Sequence, residues 1–298
     1  MRKAYRFLAA ALSLVLCTGL QSCHNEKISS GYPILFRCAD VTRAEATITD
    51  LQKNGFDVNA FFTANGSKFD FTKSLSYDAD SRIWGYNDIE YWLPGATYYF
   101  KALYPTNAGT IDNSTSAQSL TISNFDVTSQ TDLLVAQTGA IDVDASIGSP
   151  TGGSVVYLQF KHLLACVEIK IKSSINVTIN KITLNDIENF CKYSNGWQSN
   201  GNRTDLEITS DVELTPGADA QSVTGSILVV PIMTGYETIT IEASNKTYSN
   251  ISLPENTSWK NGRKYTYVAE IKQNDIIFNE PSVKVWDSES ATGSVIIQ

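Results

Sequence analysis

The 298-residue sequence predicts an all-β protein with two β-sandwich domains in tandem, and three observations support this prediction. Short segments alternate apolar and polar residues, which is the pattern of half-buried strands. Turn residues such as Pro216-Gly217 and Asn261-Gly262 separate these segments, while helix patterns are nearly absent. A stretch rich in Gly, Pro and Ser at 145–154 lies between two apolar segments and predicts a domain boundary near residue 150.

The first residues have the pattern of a lipoprotein export signal. A basic start, Met1-Arg2-Lys3 with Arg6, precedes an apolar run from Phe7 to Leu20 that is too short to span a bilayer. The run ends in the lipobox Leu20-Gln21-Ser22-Cys23. Residues 1–22 are therefore predicted to be a lipoprotein signal peptide, with Cys23 acylated. An ordinary secretory signal with an incidental Cys23 is the alternative.

Residues 23–43 are predicted to be a lipidated N-terminal segment that contains one strand and ends at a candidate protease site. Along Tyr32 to Ala39 one face of the strand carries Ile34, Phe36 and Cys38, and the other face carries Leu35 and Arg37.

Arg43-Ala44 follows this strand in a segment rich in Thr, Ala and Glu, and such segments are exposed and easily cut. It is the candidate processing site, and the alternative is that Arg43 is an ordinary loop residue. Arg37 is a poor rival because a paired strand resists entry to a protease.

Further strand signals predict an N-terminal sandwich over residues 44–150 and a C-terminal sandwich over residues 151–298. In the first they are Phe56–Phe62, Tyr98–Tyr104 before Pro105, Ser119–Val127 and Asp132–Gln137. In the second they include Ile175–Ile179, Ile182–Leu184, Ile227–Ile232, Ile239–Ala243 and Tyr265–Ile271. Asn261-Gly262 is the strongest hairpin signal in the chain.

The segment from Val155 to Lys172 is long for one strand, and its apolar residues change from even to odd positions partway along. A one-residue slip turns every side chain to the other face, so a bulge or bend is predicted near His162 to Ala165. His162 is interpreted as a structural histidine at this bend. A ligand or pH switch is the alternative.

The charge balance argues against binding to a polyanionic surface, such as nucleic acid or an anionic lipid membrane. Loss of residues 1–22 would remove three of the 23 basic residues and none of the 31 acidic residues, which changes the net charge from −8 to −11. The sequence therefore predicts no binding of nucleic acid, because its phosphate backbone would be repelled.

The three cysteines outside the signal and the lipobox are Cys38, Cys166 and Cys191. None has the spacing of a metal or redox motif. Free and mostly buried thiols are predicted, and a disulfide between Cys166 and Cys191 is the alternative.

Motifs for catalysis or for a cofactor are absent from the sequence, so neither an enzyme nor a cofactor or metal site is predicted. Asp142 and Asp144 are interpreted as a solvated acidic turn because the remaining residues of a calcium loop are missing. The aromatic residues Trp84, Tyr91 and Trp92 are assigned to packing, with stacking on sugar rings as the alternative.

Several segments, taken together and in this order, resemble the fimbrillin family, the major and minor pilin-like lipoproteins of Bacteroides-type bacteria. They are Val41-Thr42-Arg43-Ala44, Tyr91-Trp92-Leu93-Pro94, Phe100-Lys101-Ala102-Leu103-Tyr104-Pro105, Asp132-Leu133-Leu134-Val135-Ala136, Leu158-Gln159-Phe160-Lys161-His162-Leu163-Leu164, Trp259-Lys260-Asn261-Gly262-Arg263-Lys264-Tyr265-Thr266-Tyr267 and Val283-Lys284-Val285-Trp286.

The resemblance implies two transthyretin-like β-sandwich domains and a structural role in a cell-surface fimbrium that contributes to adhesion. It implies export as an outer-membrane lipoprotein and cutting after Arg43 by an arginine-specific protease, which removes residues 23–43 as a lipidated propeptide together with their strand. It also implies assembly with other pilin subunits by strand exchange. In that exchange a partner's C-terminal strand replaces Ile34, Phe36 and Cys38. The host or bacterial surface ligand is left unspecified.

The C-terminal segment from Pro281 to Gln298 is the candidate donor. Gly293 to Gln298, with Val295 and Ile297 on one face, follows a Ser, Thr and Gly-rich break and is the preferred piece. Pro281 to Asp287 is equally compatible with closing its own sandwich. Two other functions remain as alternatives: a surface lipoprotein that binds glycan or protein without polymerising, and a hydrolase on a β-sandwich.

Overall fold

The fold is described from a computed structural model, in which residues 31–38, 48–233, 235, 237–254, 258–273 and 275–286 are described. One short α-helix, α1 (Ile48–Asn54), and one 3-10 helix (Val127–Ser129) lie within these ranges. The strands are β1 (Leu35–Cys38), β2 (Phe56–Ala64), β3 (Ser67–Asp78), β4 (Ile83–Gly85), β5 (Thr97–Tyr104), β6 (Thr110–Asp112), β7 (Ser119–Phe125), β8 (Leu134–Gln137), β9 (Ile141–Asp142), β10 (Val155–Leu158), β11 (Lys161–His162), β12 (Ala165–Ser173), β13 (Val177–Glu188), β14 (Cys191–Ser194), β15 (Trp197–Gln198), β16 (Arg203–Leu214), β17 (Gln221–Ser222), β18 (Ile227–Val229), β19 (Thr238–Ala243), β20 (Thr247–Ser252), β21 (Arg263–Ile271), β22 (Ile276–Phe278) and β23 (Ser282–Val285). The all-β prediction is confirmed.

The first sheet has the strand order β10-β1-β4-β3-β2-β5-β8-β11, and β9 also pairs with β5. The centre of this sheet is the long antiparallel hairpin of β2 and β3, which pairs from Phe56 opposite Leu75 to Ala64 opposite Ser67. The N-terminal strand β1 therefore lies inside this sheet, with a strand on each side.

Three more sheets complete the fold. Their orders are β17-β12-β21-β22, with β18 on β12 and β23 on β21, then β16-β13-β19-β20, and finally β15-β14-β7-β6. The last sheet combines two strands from the first half of the chain with two from the second half. Strands from the two halves of the chain therefore pair with each other in this sheet.

The buried apolar residues form two separate cores. The first core extends in sequence from Ile34 to Phe160 and the second from Leu103 to Trp286. Strand β10 follows the Gly, Pro and Ser-rich stretch, yet Val156 and Leu158 pack in the first core. The tandem transthyretin-like arrangement and the boundary near residue 150 stay predictions.

The predicted break near His162 to Ala165 is confirmed, but a bulge in one strand is the wrong cause. Strands β10 and β11 belong to the first sheet, whereas β12 belongs to the sheet with β21. Phe160 packs in the first core and Leu163 in the second. The apolar positions change parity because the chain moves from one core to the other.

Two local features differ from the sequence prediction. Helix α1 was not predicted, and Gly55 follows its last residue. Gly55 has a φ of +73°, which favours glycine, and a Cβ at this position would collide with the Leu75 carbonyl oxygen. The turn at Asn261-Gly262 forms and leads into β21, but residues 258–260 before it are not a strand, so the hairpin prediction is wrong. Within the described ranges no helix is long and apolar enough to cross a bilayer.

Candidate functional site

The N-terminal strand β1 is paired along both of its edges. It runs parallel to β10, with Leu35 to Cys38 opposite Val155 to Leu158, and antiparallel to β4, with Phe36 opposite Trp84. Both neighbours lie far along the chain from β1, so its position is fixed by long-range pairing and not by a local hairpin. Its absence would leave a slot between two strands with unpaired backbone groups facing it.

The side chains of β1 alternate as predicted. Ile34, just before the strand, and Phe36 are fully buried at 0% exposure in the first core, and Cys38 is half-buried. The Phe36 ring makes edge contacts with Tyr86 and Phe100, with centroids 5.8 Å and 5.5 Å away. Leu35 and Arg37 point to the other face, where Arg37 is exposed. The strand and its parity are confirmed.

A short segment after β4 holds the start of β1, and sequence reasoning did not assign it this role. The Ile34 N–H donates to the Glu90 carbonyl at 2.9 Å, and the Trp92 N–H donates to the Tyr32 carbonyl at 3.0 Å. The Tyr86 hydroxyl donates to the Ile34 carbonyl at 2.9 Å. The motif Tyr91-Trp92-Leu93-Pro94 was the available signal, although nothing in the sequence connects it with residues 32–34.

Several predicted sites lie outside the described residues. They are the lipidation site Cys23, the processing site Arg43 and Ala44, and the candidate donor residues Val295 and Ile297. The described chain stops at Cys38 and resumes at Ile48, so the nine residues between them include the predicted cut. These assignments stay predictions.

The C-terminal strand β23 pairs with β21 of its own chain, from Thr266 opposite Ser282 to Arg263 opposite Val285. All four of its residues are exposed, including Val283 at 52% and Val285 at 51%. Within the described residues, Pro281 to Trp286 therefore closes its own sheet, which was one of the two predicted outcomes for that piece.

Trp286, directly after β23, is buried at a junction with His162. The two rings are stacked, with centroids 3.9 Å apart and planes 11° from parallel. His162 Nδ1 lies 2.6 Å from Asp132 Oδ2, and both side chains are buried. Asp132 Oδ1 accepts a hydrogen bond from the Leu133 N–H at 2.7 Å. His162 is thus a packed structural residue, as predicted, but its two partners were not foreseen.

None of the three described thiols is in a disulfide, so the predicted alternative of a disulfide between Cys166 and Cys191 is wrong. Burial raises the pKa of Cys38 to about 12. Burial, with a smaller contribution from the Glu188 carboxylate, also raises the pKa of Cys191 to about 12. Both are protonated and poorly nucleophilic at neutral pH.

The other sequence candidates take structural roles. Trp84 and Trp92 are buried in the first core, while Tyr91 is exposed. The Asp144 carboxylate accepts from the Ser146 hydroxyl and from the N–H groups of Ser146 and Ile147 in an exposed turn, and these hydrogen bonds lower its pKa. Among the described residues, no group of three or more His, Cys, Asp or Glu side chains is placed to hold a metal ion.

Comparison with known proteins gives a family and a fold. The fimbrillin-like family model matches residues 42–286. Two similar solved structures are candidate cell adhesion proteins. The one from Bacteroides uniformis ATCC 8492 is 15% identical to this chain and has a TM-score of 0.55. The match covers 87% of this chain and 99% of the other. The one from Bacteroides ovatus ATCC 8483 has 13% identity, 87% and 99% covered, and a TM-score of 0.53. No curated protein matches the chain.

A third solved structure is a fimbrial assembly protein from Parabacteroides distasonis ATCC 8503, with 11% identity, 86% of this chain and 98% of its own chain covered, and a TM-score of 0.42. The first two structures share the fold of this chain over nearly its whole described length.

Proposed function

The chain belongs to the fimbrillin-like family, and from this premise we propose that it is a non-enzymatic structural subunit of a cell-surface fimbrium. The observation that carries the proposal is the position of β1: a four-residue strand whose Phe36 side chain, like that of Ile34 just before it, is wholly buried, paired between two strands from distant parts of the chain. Such a strand is suited to replacement by a short strand from another subunit.

In this proposal the subunit is exported as an outer-membrane lipoprotein. The signal peptide over residues 1–22 is removed, and acylation of Cys23 holds the precursor at the membrane. The mature body then consists of an N-terminal sandwich to about residue 150 and a C-terminal sandwich beyond it. Each core also takes residues from the other half of the chain: Val156 and Leu158 pack in the first core, and Leu120 and Ile122 pack in the second.

An arginine-specific protease then cuts between Arg43 and Ala44, which disconnects β1 from the body of the protein. Departure of β1 uncovers the sites of Ile34 and Phe36. Burying each of these side chains is worth about 1.5–3 kcal/mol. The vacant slot therefore favours binding of any strand that matches it in length and parity.

The C-terminal tail of a neighbouring subunit is proposed to supply that strand. Strand β23 is occupied with its own sheet, so we assign donation to Gly293 to Gln298, with Val295 and Ile297 entering the positions of Ile34 and Phe36. The partners are therefore other subunits of the fimbrium, identical or related, and the assembled fibre contributes to adhesion.

The test is proteolysis of the full chain under native conditions. Incubation with an arginine-specific protease is expected to produce a protein that starts at Ala44, read by N-terminal sequencing, and a ladder of oligomers on a gel. Arg43→Gln, which removes the cut but leaves β1 in place, is the matched control and should stay monomeric. Cys23→Ala should lose incorporation of labelled lipid.

Deletion of Gly293 to Gln298 tests the donor separately. The shortened chain should still be cut and should accept a tail from intact subunits, but it should not polymerise alone. Polymerisation of the shortened chain after cleavage would place the donor elsewhere. A wild-type protein that is cut at Arg43 and remains monomeric would instead favour a surface lipoprotein that binds glycan or protein without polymerising.

A further inference from the structure

Two arginines face one cavity beside β1 at the edge of the first core. Arg37 lies on β1, and Arg82 lies in the turn between β3 and β4. The cavity measures about 420 Å³ and is lined by Arg37, Cys38, Ile48, Gln52, Tyr77, Ser81, Arg82 and Trp84. The described lining residues offer two guanidinium groups, an amide and hydroxyls, and none of them is a carboxylate.

Neither arginine is neutralised within the described part of the chain. The ion pairs found there involve other residues. Asp78, the acid at the start of the same turn, is engaged by the turn itself, because its two oxygens accept from the Asp80 N–H at 3.0 Å and from the Ser81 hydroxyl at 2.6 Å. Two unpaired cations around one cavity are notable in a chain with a net charge of −8.

The backbone of Arg82 gives an independent observation. Its φ is +58°, in the left-handed region that glycine and asparagine adopt most easily. An arginine there costs conformational energy, and such strained positions concentrate where a side chain has a task. A glycine would serve the turn better, but it would leave the cavity with only Arg37.

We propose that this cavity binds an oxyanion group, a carboxylate or a phosphate, on a ligand no larger than a single sugar ring. Guanidinium groups bind both kinds of oxyanion through paired N–H donors. A volume of about 420 Å³ lies within the range of small-ligand pockets. The Gln52 amide supplies hydrogen-bonding groups for the rest of the ligand, and the Ser81 oxygen, whose hydrogen is donated to Asp78, supplies an acceptor.

The position of Arg37 gives the site a consequence that rests on the proposed function. A ligand held by both guanidinium groups connects β1 with the β3–β4 turn, and it loses half of its cation pair when β1 departs. A ligand that binds only the seated state stabilises that state. The bound oxyanion therefore retains β1 and slows strand exchange.

Binding is tested by calorimetric titration of the full chain in detergent with inorganic phosphate and, in a second arm, with glucuronate. Saturable binding in one arm identifies which oxyanion the cavity prefers. Arg37→Gln and Arg82→Gln should each lower the affinity at least tenfold, while Lys68→Gln on the exposed part of β3 should leave it unchanged. Arg82→Gly should lose binding and also raise the Tm, which a purely structural role for Arg82 does not predict. Equal affinity in wild type and both glutamine variants, or no saturable binding in either arm, overturns the site.

Retention is tested by the rate at which the β1 peptide leaves the body after arginine-specific cleavage. The preferred ligand at saturation should slow release at least fivefold in wild type and not in Arg82→Gln. If the ligand still binds but the β1 peptide is released at an unchanged rate, the retention step is wrong while the binding site stands. Absence of any cut at Arg43 contradicts the proposed processing, while the titration still decides the site.

Discussion

The two terminal strands of the described chain, β1 and β23, have the same length but are held by different forces. Each has four residues. Strand β1 has partners on both edges, and its Ile34 and Phe36 side chains are wholly buried. Strand β23 lies along one edge of β21, and all four of its residues are exposed.

The difference shows that the way a short strand is held depends on its place in the sheet order as well as on its own side chains. Strand β1 is held mainly by the transfer of apolar side chains out of water. Strand β23 is held by its ladder of backbone hydrogen bonds and by Trp286, which anchors its far end in the second core. Removal of β1 would thus expose a large apolar site in the first core, whereas removal of the edge strand β23 itself would expose little apolar surface.

The largest expected effect comes from truncating matched apolar residues on the two strands. Phe36→Ala should lower the free energy of unfolding by about 4 kcal/mol, because it removes a fully buried ring. Val283→Ala should change it by less than about 0.5 kcal/mol, because the side chain is half exposed. Urea denaturation of the two variants measures the contrast. A similar loss in both would mean that the two strands are held alike.

A smaller and more local effect is expected from the anchor of β23. Trp286→Ala should cost about 3 kcal/mol, since it removes a buried ring stacked on His162. Hydrogen exchange at the amides of Val283 and Val285 should become fast, with that of Phe36 unchanged. Trp286→Phe keeps a ring on His162 and should restore most of the protection. Protection of β23 that survives Trp286→Ala would show that the backbone ladder alone holds it.

Sequence patterns were sufficient to predict most of the strands and which of their faces are buried. The alternation of Ile34, Phe36 and Cys38 predicted which side of β1 is buried, and the change of parity after Val155 predicted a break. Which strands become neighbours was not readable, because pairing between β1 and β10 depends on residues more than a hundred positions apart. The partners of His162 were missed for the same reason: Asp132 and Trp286 meet it only through the folding of three separate segments.

The smallest expected effect concerns the Cys38 thiol on β1, and it distinguishes a seated strand from a loosely held one. Burial raises the pKa of Cys38 to about 12, against 9.0 for the free group. The unfolded chain therefore ionises first as the pH rises. The contribution to stability is complete below about pH 9 and is lost between about pH 9 and 12. Cys38→Ala should remove about 1 kcal/mol of the decrease in unfolding free energy between pH 8 and pH 10, measured by urea denaturation. An identical decrease in wild type and variant would mean that the thiol ionises in place, and so that β1 admits water while it remains paired.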